Sequence, residues 1–286
     1  MTRLRFIKME GCRNDYVFLD GGLGSEAMEF PARAPFSAWS RILSDRHGGV
    51  GGDGLIVLEP GERHPVRMRM WNADGSEGRL CLNGLRCAAK YVAEETAAGD
   101  RFTVETISGD HPVRMFRDAS GRVNEVEVLV GAPDFRRAAL PAGGSAPELW
   151  AETFSLGGRD LPGYAVSVGN PHLVFPVSGT LTDVPLEALG PLSTDARFPE
   201  GMNVHLLARS DQGLDMCSWE RGTGPTLACG SGAVAVFAVA KRLGLVGTRA
   251  QVRMPGGSVL VSENEDGALV MRGPAREVFR GQIQVE

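Results

Sequence analysis

Two cysteines sit in matching sequence frames about half a chain apart, Cys81 in NADGSEGRLCLNG and Cys229 in ERGTGPTLACGSG. In each frame a polar residue precedes the cysteine by nine positions, Asn72 in the first and Glu220 in the second. A glycine-containing turn then opens an apolar helical segment. A frame repeated at this distance means a chain built twice from one unit, with a thiol at the mouth of a helix in each copy. Two thiols meeting across a cleft are what an enzyme needs to take a proton from one face of a carbon and return it to the other.

The 286 residues suffice for two ordinary domains, and 43% apolar with 23% charged content is that of a soluble globular chain. A net charge of −5 with no basic run excludes the electrostatics of nucleic-acid binding. MTRLRFIKMEGCRND has no signal-peptide core, and no stretch of about 18 apolar residues occurs, so a cytoplasmic protein with no membrane partner is expected. Cysteines at 12, 81, 87, 217 and 229 make an odd count without a CxxC pair, which argues for reduced thiols and against a disulfide framework or a bound metal. Lys8, Lys90 and Lys241 are the only lysines. Two of them fall inside the helices that follow the cysteines, so a lysine-anchored pyridoxal cofactor is not expected; the sequence leaves Lys8 open.

Short β-rich runs, VRMRMW (66–71), NEVEVLV (124–130) and YAVSVGN (164–170), alternate with Gly, Pro and Asp turns and read as strands. Two segments read as helices, 85–95 and 231–243, the second apolar nearly all round and therefore buried. The Pro-, Ala- and Gly-rich stretch 130–150 reads as the connection between halves. The expected division is a first domain over 1–130, a second over 131–273, and a tail, 274–286, that returns to the first. The unpaired N–H groups at each helix mouth would favour anions, so the sequence predicts acidified thiols and a docking place for a carboxylate. Cys12, Cys87 and Cys217 have no repeated partner and read as core thiols.

The ordered motifs MEGCRNDYVFLD, DRHGGVGGDGLIVLEP, NADGSEGRLCLNGLRC, VSVGNPHLVF, FPEGMNVHLL, ERGTGPTLACGSGA and MPGGSVLV make the chain resemble the diaminopimelate epimerases, cofactor-independent enzymes of bacterial lysine and peptidoglycan biosynthesis. The resemblance covers essentially the whole chain. It implies an α/β (α+β) fold of two similar domains, each a mixed, mostly antiparallel sheet curled around a central helix, with the active site between them, and a homodimer. It implies Cys81 and Cys229 as the acid/base pair, with His172 and Glu220 beside them tuning their protonation. Asn14, Asn72, Asn170, Asn203 and Arg221 match positions that hold the far amino-carboxylate end of the amino-acid substrate. Groups around Leu82, Asn83, Gly230 and Ser231 match those holding the carboxylate at the reacting end, and Glu220 belongs to the binding set as well.

Three positions depart from the family pattern. Leu82 stands where glycine is usual, which would be costly at positive φ. Gly54 replaces a polar side chain able to reach a ligand, and Pro225 replaces a frequent glutamate. Leu82 and Gly54 keep open a racemase of histidine, glutamate or proline on the same fold, and a relative that binds amino acids without turnover is the alternative of a different class. Phe279 falls in the tail that family dimers use for contacts.

Overall fold

A computed structural model describes residues 2–31 and 33–285 of the chain. It divides into two compact units, Met1–Leu129 with Arg272–Glu286, and Val130–Met271.

In the first unit, Thr2–Gly11 and Asn14–Asp20 form an antiparallel hairpin. Asn14–Asp20 runs parallel to Gly54–Glu59, which is antiparallel to Val66–Asn72. Val66–Asn72 carries the two-residue strand Glu77–Gly78 antiparallel and Arg101–Thr106 parallel. Gly109–Arg117 and Val123–Gly131 continue antiparallel, and Arg276–Val285 pairs antiparallel with Thr2–Gly11. A parallel neighbour requires a crossover. Here the crossover between Val66–Asn72 and Arg101–Thr106 contains the helix Leu82–Glu95.

The second unit repeats this order. Trp150–Leu156 pairs antiparallel with Arg159–Ser167, which is antiparallel to Pro171–Val177. Pro171–Val177 is parallel to Asn203–Ser210, itself antiparallel to Gly213–Glu220. Gly213–Glu220 carries Gly224–Thr226 antiparallel and Arg249–Met254 parallel, and Gly257–Glu263 follows antiparallel. The helix Gly230–Arg242 fills the corresponding crossover. Asn72 and Glu220, the polar residues of the two frames, are each the last residue of the corresponding strand.

Both crossover helices are buried. Gly230 and Gly232–Ala240 are enclosed, as an all-round apolar pattern demands. Leu82–Ala93 is enclosed too although it contains Arg86 and Lys90. Buried cations need partners. Arg86 Nε donates to the Pro274 carbonyl at 3.0 Å, and Lys90 pairs with Glu94 at 2.8 Å while donating to the Val123 carbonyl. Lys241 is paired with Glu263, and Lys8 is buried against Asp15 at 2.5 Å.

The elements differ from the sequence expectation at several points. The helices begin at Leu82 and Gly230 rather than 85 and 231, and the second ends at Arg242 rather than 243. The strand read over 164–170 is Arg159–Ser167. It stops because Val168–Asn170 make a tight turn, with Gly169 at φ +96° and the Val168 N–H on the Asn170 carbonyl, before the chain resumes at Pro171. A nine-residue helix, Phe36–Ser44, was not expected at all. It packs Phe36, Trp39 and Leu43 into a core with Val17, Leu55 and Trp71. Among the described residues no helix is long and apolar enough to cross a membrane.

Candidate active site

Each cysteine of the repeated frames is the N-cap of its crossover helix. Cys81 (φ −130°, ψ 115°) and Cys229 (φ −117°, ψ 106°) have extended backbones, and each sulfur accepts an N–H from the residue three further on. The distances are 3.4 Å from Gly84 N and 3.3 Å from Gly232 N. This is the geometry of a Ser or Asp cap with sulfur as acceptor. The first bonds of the helical ladders, Leu85 N–H to the Cys81 carbonyl and Ala233 N–H to that of Cys229, come after Leu82, Asn83, Gly230 and Ser231. The N–H groups of those four residues therefore belong to the first turns, at the positive end of each helix dipole.

Both donor glycines sit in close contact with side chains of their own unit. A Cβ on Gly84 would lie 2.4 Å from Ile56 Cδ1, and one on Gly232 would lie 2.5 Å from His205 Cε1 and 3.0 Å from the Cys229 sulfur.

In the first unit Cys81 is half-buried. Tyr16 Oη donates to its sulfur at 3.2 Å, and the thiol donates to Asn14 Oδ1 at 3.3 Å. Asn14 Oδ1 also accepts from Asn83 Nδ2 at 3.2 Å, while Asn14 Nδ2 donates to Asp53 at 2.5 Å. Asp53 takes the Asp15 N–H at 3.0 Å, and Arg46 clamps Asp15 and Asp53 at 2.7 and 2.9 Å. Burial pushes the Asp53 carboxyl up. Asp15 is pushed the same way by burial, but Arg46 and Lys8 outweigh it and hold its carboxyl low. Asn14 is thus presented oxygen-first to the thiol by an anchored carboxylate. Asn72, exposed at the end of its strand, has Nδ2 on Ser76 Oγ at 2.9 Å.

In the second unit Cys229 is buried, and its thiol donates to Glu220 Oε2 at 3.1 Å. The other oxygen of Glu220 accepts from Thr226 at 2.6 Å. Ser231 Oγ lies 3.7 Å from the sulfur and takes the Asn170 amide at 3.2 Å. Asn170 Oδ1 meets His172 Nε2 at 2.9 Å, and His172 Nδ1 meets His205 Nε2 at 2.9 Å. Both ring nitrogens of His172 are therefore engaged by Asn170 and His205, and His172 communicates with the thiol through Asn170 and Ser231. Asn203 accepts the Arg221 N–H at 3.1 Å and donates to the Pro171 carbonyl at 3.0 Å. The exposed Arg221 side chain rests on the Glu200 carbonyl at 2.7 Å.

The expectation of an acidified thiol fails at Cys229. Burial, then the adjacent Glu220 carboxylate, drive its pKa well above the usual thiol value, and the Gly232 N–H and Ser231 hydroxyl only partly offset them. The helix-dipole argument omitted the carboxylate that the same frame supplies nine residues earlier.

The departures at 82 and 54 have local explanations. Leu82 is the first helical residue, buried, and not among the positive-φ positions, so it carries no backbone penalty. A Cβ at Gly54 would sit 2.2 Å from the Trp71 carbonyl oxygen, so this backbone leaves room for no side chain there. Pro225 is exposed on the short strand opposite Trp219. The residues that sequence reading missed are Tyr16, Arg46, Asp53, His205 and Ser218. The available signal was a polar residue inside a buried, largely apolar strand, as His205 is in NVHLLARS.

The diaminopimelate epimerase family profile matches residues 6–135 and 164–278. The diaminopimelate epimerase of Geobacillus thermodenitrificans is 40% identical over 287 residues, covering 98% of this chain and 97% of that one. That of Bacillus subtilis is 39% identical over 291 residues, covering 98% and 99%. Among solved structures, a Bacillus anthracis phenazine biosynthesis protein of the PhzF family superposes with a TM-score of 0.70 at 16% identity, each chain fully covered, which speaks to the fold alone. A duplicated sheet with a cysteine-capped helix in each copy, and relatives of this identity matched end to end, place the chain in the diaminopimelate epimerase family.

Proposed function

We propose that this chain interconverts LL- and meso-2,6-diaminopimelate without a cofactor, as a step of lysine and peptidoglycan precursor synthesis. Cys81 and Cys229 serve as the two acid/base groups. The observation that carries this reading is the matched pair of cysteine caps, each sulfur receiving a helix N–H. Inversion at the α-carbon needs a base to remove the proton and an acid to deliver one from the other face. A thiolate and a thiol fill these roles near neutral pH, and they exchange protonation states in each turnover.

Cys229, held as a thiol by burial and by Glu220, is the acid of the resting enzyme, which leaves Cys81 as the base for that direction. The first-turn N–H groups at Leu82, Asn83, Gly230 and Ser231 would bind the carboxylate at the reacting carbon and steady the charge that spreads into it. Asn14, Asn72, Asn170, Asn203 and Arg221 would read the distal ammonium and carboxylate. Arg221 brings the planar fork suited to the latter. A homodimer is supported by Val278 and Phe279, adjacent large apolar residues 47% and 46% exposed on the terminal strand.

Proton NMR in D2O tests the reading. Reduced protein with LL-diaminopimelate should lose the α-proton signal and yield the meso isomer. Cys81→Ala or Cys229→Ala should stop this, and continued epimerisation by either variant would sink the two-thiol assignment. Exchange with histidine, glutamate or proline instead would keep the chemistry and move the substrate; binding with no exchange would indicate a non-catalytic relative.

A further inference from the structure

Behind the Cys229 site runs a chain of hydrogen bonds into the core of the second unit. Ser218 Oγ lies 2.8 Å from His205 Nδ1, His205 Nε2 lies 2.9 Å from His172 Nδ1, and His172 Nε2 lies 2.9 Å from Asn170 Oδ1. Asn170 Nδ2 then reaches Ser231 Oγ, next to the Cys229 sulfur. Both imidazoles are fully enclosed and Ser218 is 2% exposed. Burial keeps both rings neutral; at His172, His205 and then Arg221 add to it.

Neutrality gives the chain a direction. A neutral imidazole donates from one nitrogen and accepts at the other. Asn170 directs its amide N–H to Ser231 and its oxygen to His172, so His172 must carry its proton on Nε2 and accept at Nδ1. His205 must then donate from Nε2 and accept from the Ser218 hydroxyl. The Ser231 oxygen, occupied by the Asn170 amide, is left to turn its own proton toward sulfur. We propose that His205 is a positioning residue for the Cys229 thiol, acting through the directed chain His205–His172–Asn170–Ser231.

A purely structural pair of buried imidazoles explains less. An apolar pair would fill the same space without polar groups that each need a partner. The His205 ring also packs against Gly232, the residue that donates its N–H to the Cys229 sulfur. Arg221 is the charged side chain that acts on His172, and Glu220 meets the Cys229 thiol. Asp215 and Cys217 alternate to the other face of the strand that carries Ser218. Lys241 and Arg242 stand at the far end of the capped helix.

The inference rests on Cys229 being an acid/base group, but its test reads the thiol directly and does not depend on which amino acid is the substrate. In a Cys81→Ala background, the pH profile of Cys229 alkylation by iodoacetamide is followed by mass spectrometry. His205→Leu removes the donor to His172, so the thiolate loses support and alkylation at a fixed pH below the midpoint should slow about tenfold. His205→Gln, which keeps a donor, should return most of that rate. Ser218→Ala, a milder change should His205→Leu fail to fold, should move the profile in the same direction. Long-range proton–nitrogen NMR of the parent protein should show His172 and His205 as Nε2–H tautomers from pH 6 to 8. A folded His205→Leu or Ser218→Ala variant with an unmoved profile, or an Nδ1–H tautomer at either ring, overturns the proposal.

Discussion

Two opposed forces act on the sulfur of Cys229. The Gly232 N–H and the dipole of the helix favour the thiolate, as they do at any cysteine cap. Burial and the Glu220 carboxylate, which accepts the thiol proton at 3.1 Å, favour the thiol and win. Glu220→Gln removes the carboxylate's share of the upward push, so the Cys229 pKa falls toward the ordinary thiol range. At pH 8 the variant should therefore alkylate faster at Cys229 than the parent. In the direction that uses Cys229 as the acid, the alkaline limb of its rate profile should move to lower pH. An unchanged alkylation rate in the variant would mean that burial alone sets the thiol. Cys81 is handled differently, with Tyr16 Oη and the Gly84 N–H donating to its sulfur. A hydrogen bond to a charged acceptor contributes about 1.5–3 kcal/mol, so Tyr16→Phe should lower kcat by about ten- to a hundredfold with the fold intact. A rate within twofold of the parent would show that the hydroxyl does not support the thiolate.

At the scale of elements, the cap geometry turns on a glycine three residues after each cysteine. Gly232→Ala would drive a methyl group into His205 and the sulfur at once, and Gly84→Ala would meet the terminal Cδ1 methyl of Ile56. Both variants should lose activity by at least about a hundredfold. Gly84→Ala should also cost about 1–3 kcal/mol in urea unfolding, the usual penalty for overpacking a filled core. Retention of full activity by Gly232→Ala would show that the cap can shift without consequence.

The two crossover helices were readable because an apolar run followed a glycine turn twice. Their first residues were not, since cysteine is not a usual capping residue and the sulfur's role appears only when Gly84 and Gly232 point their N–H groups at it. The Phe36–Ser44 helix was hidden for the opposite reason. Phe36, Trp39 and Leu43 have helical spacing, but the helix is short, follows Pro35 with no side-chain cap, and draws its stability from packing on Trp71. Similarly, Asn14 and Glu220 stood out as polar residues in motifs. The groups that aim them, Asp53 and Thr226 respectively, are contacts across strands and turns that no spacing along the chain encodes.

For the whole molecule, the buried titratable groups define a pH window. Burial depresses His111, His172 and His205, the last to about 3, below the ordinary 6.5. As the pH falls below 6.5 the unfolded chain takes up protons that these rings refuse in the fold, so stability present above 6.5 is lost on acidification. Each ring contributes a slope of up to about 1.4 kcal/mol per pH unit. On the alkaline side, burial raises Cys12, Cys87 (to about 12), Cys217 (to about 11) and Cys229 above the ordinary 9.0. Unfolded thiols ionise above pH 9 while the folded ones do not, so stability falls again as the pH rises through that range. Urea unfolding with reductant present should accordingly show a plateau between about pH 6.5 and 9, with losses on both sides. His205→Gln removes one of the depressed groups, so its acid-side slope should be shallower than that of the parent by about one proton's worth. A flat acid limb in the parent, or an identical slope in the variant, would mean that these rings are protonated within the fold.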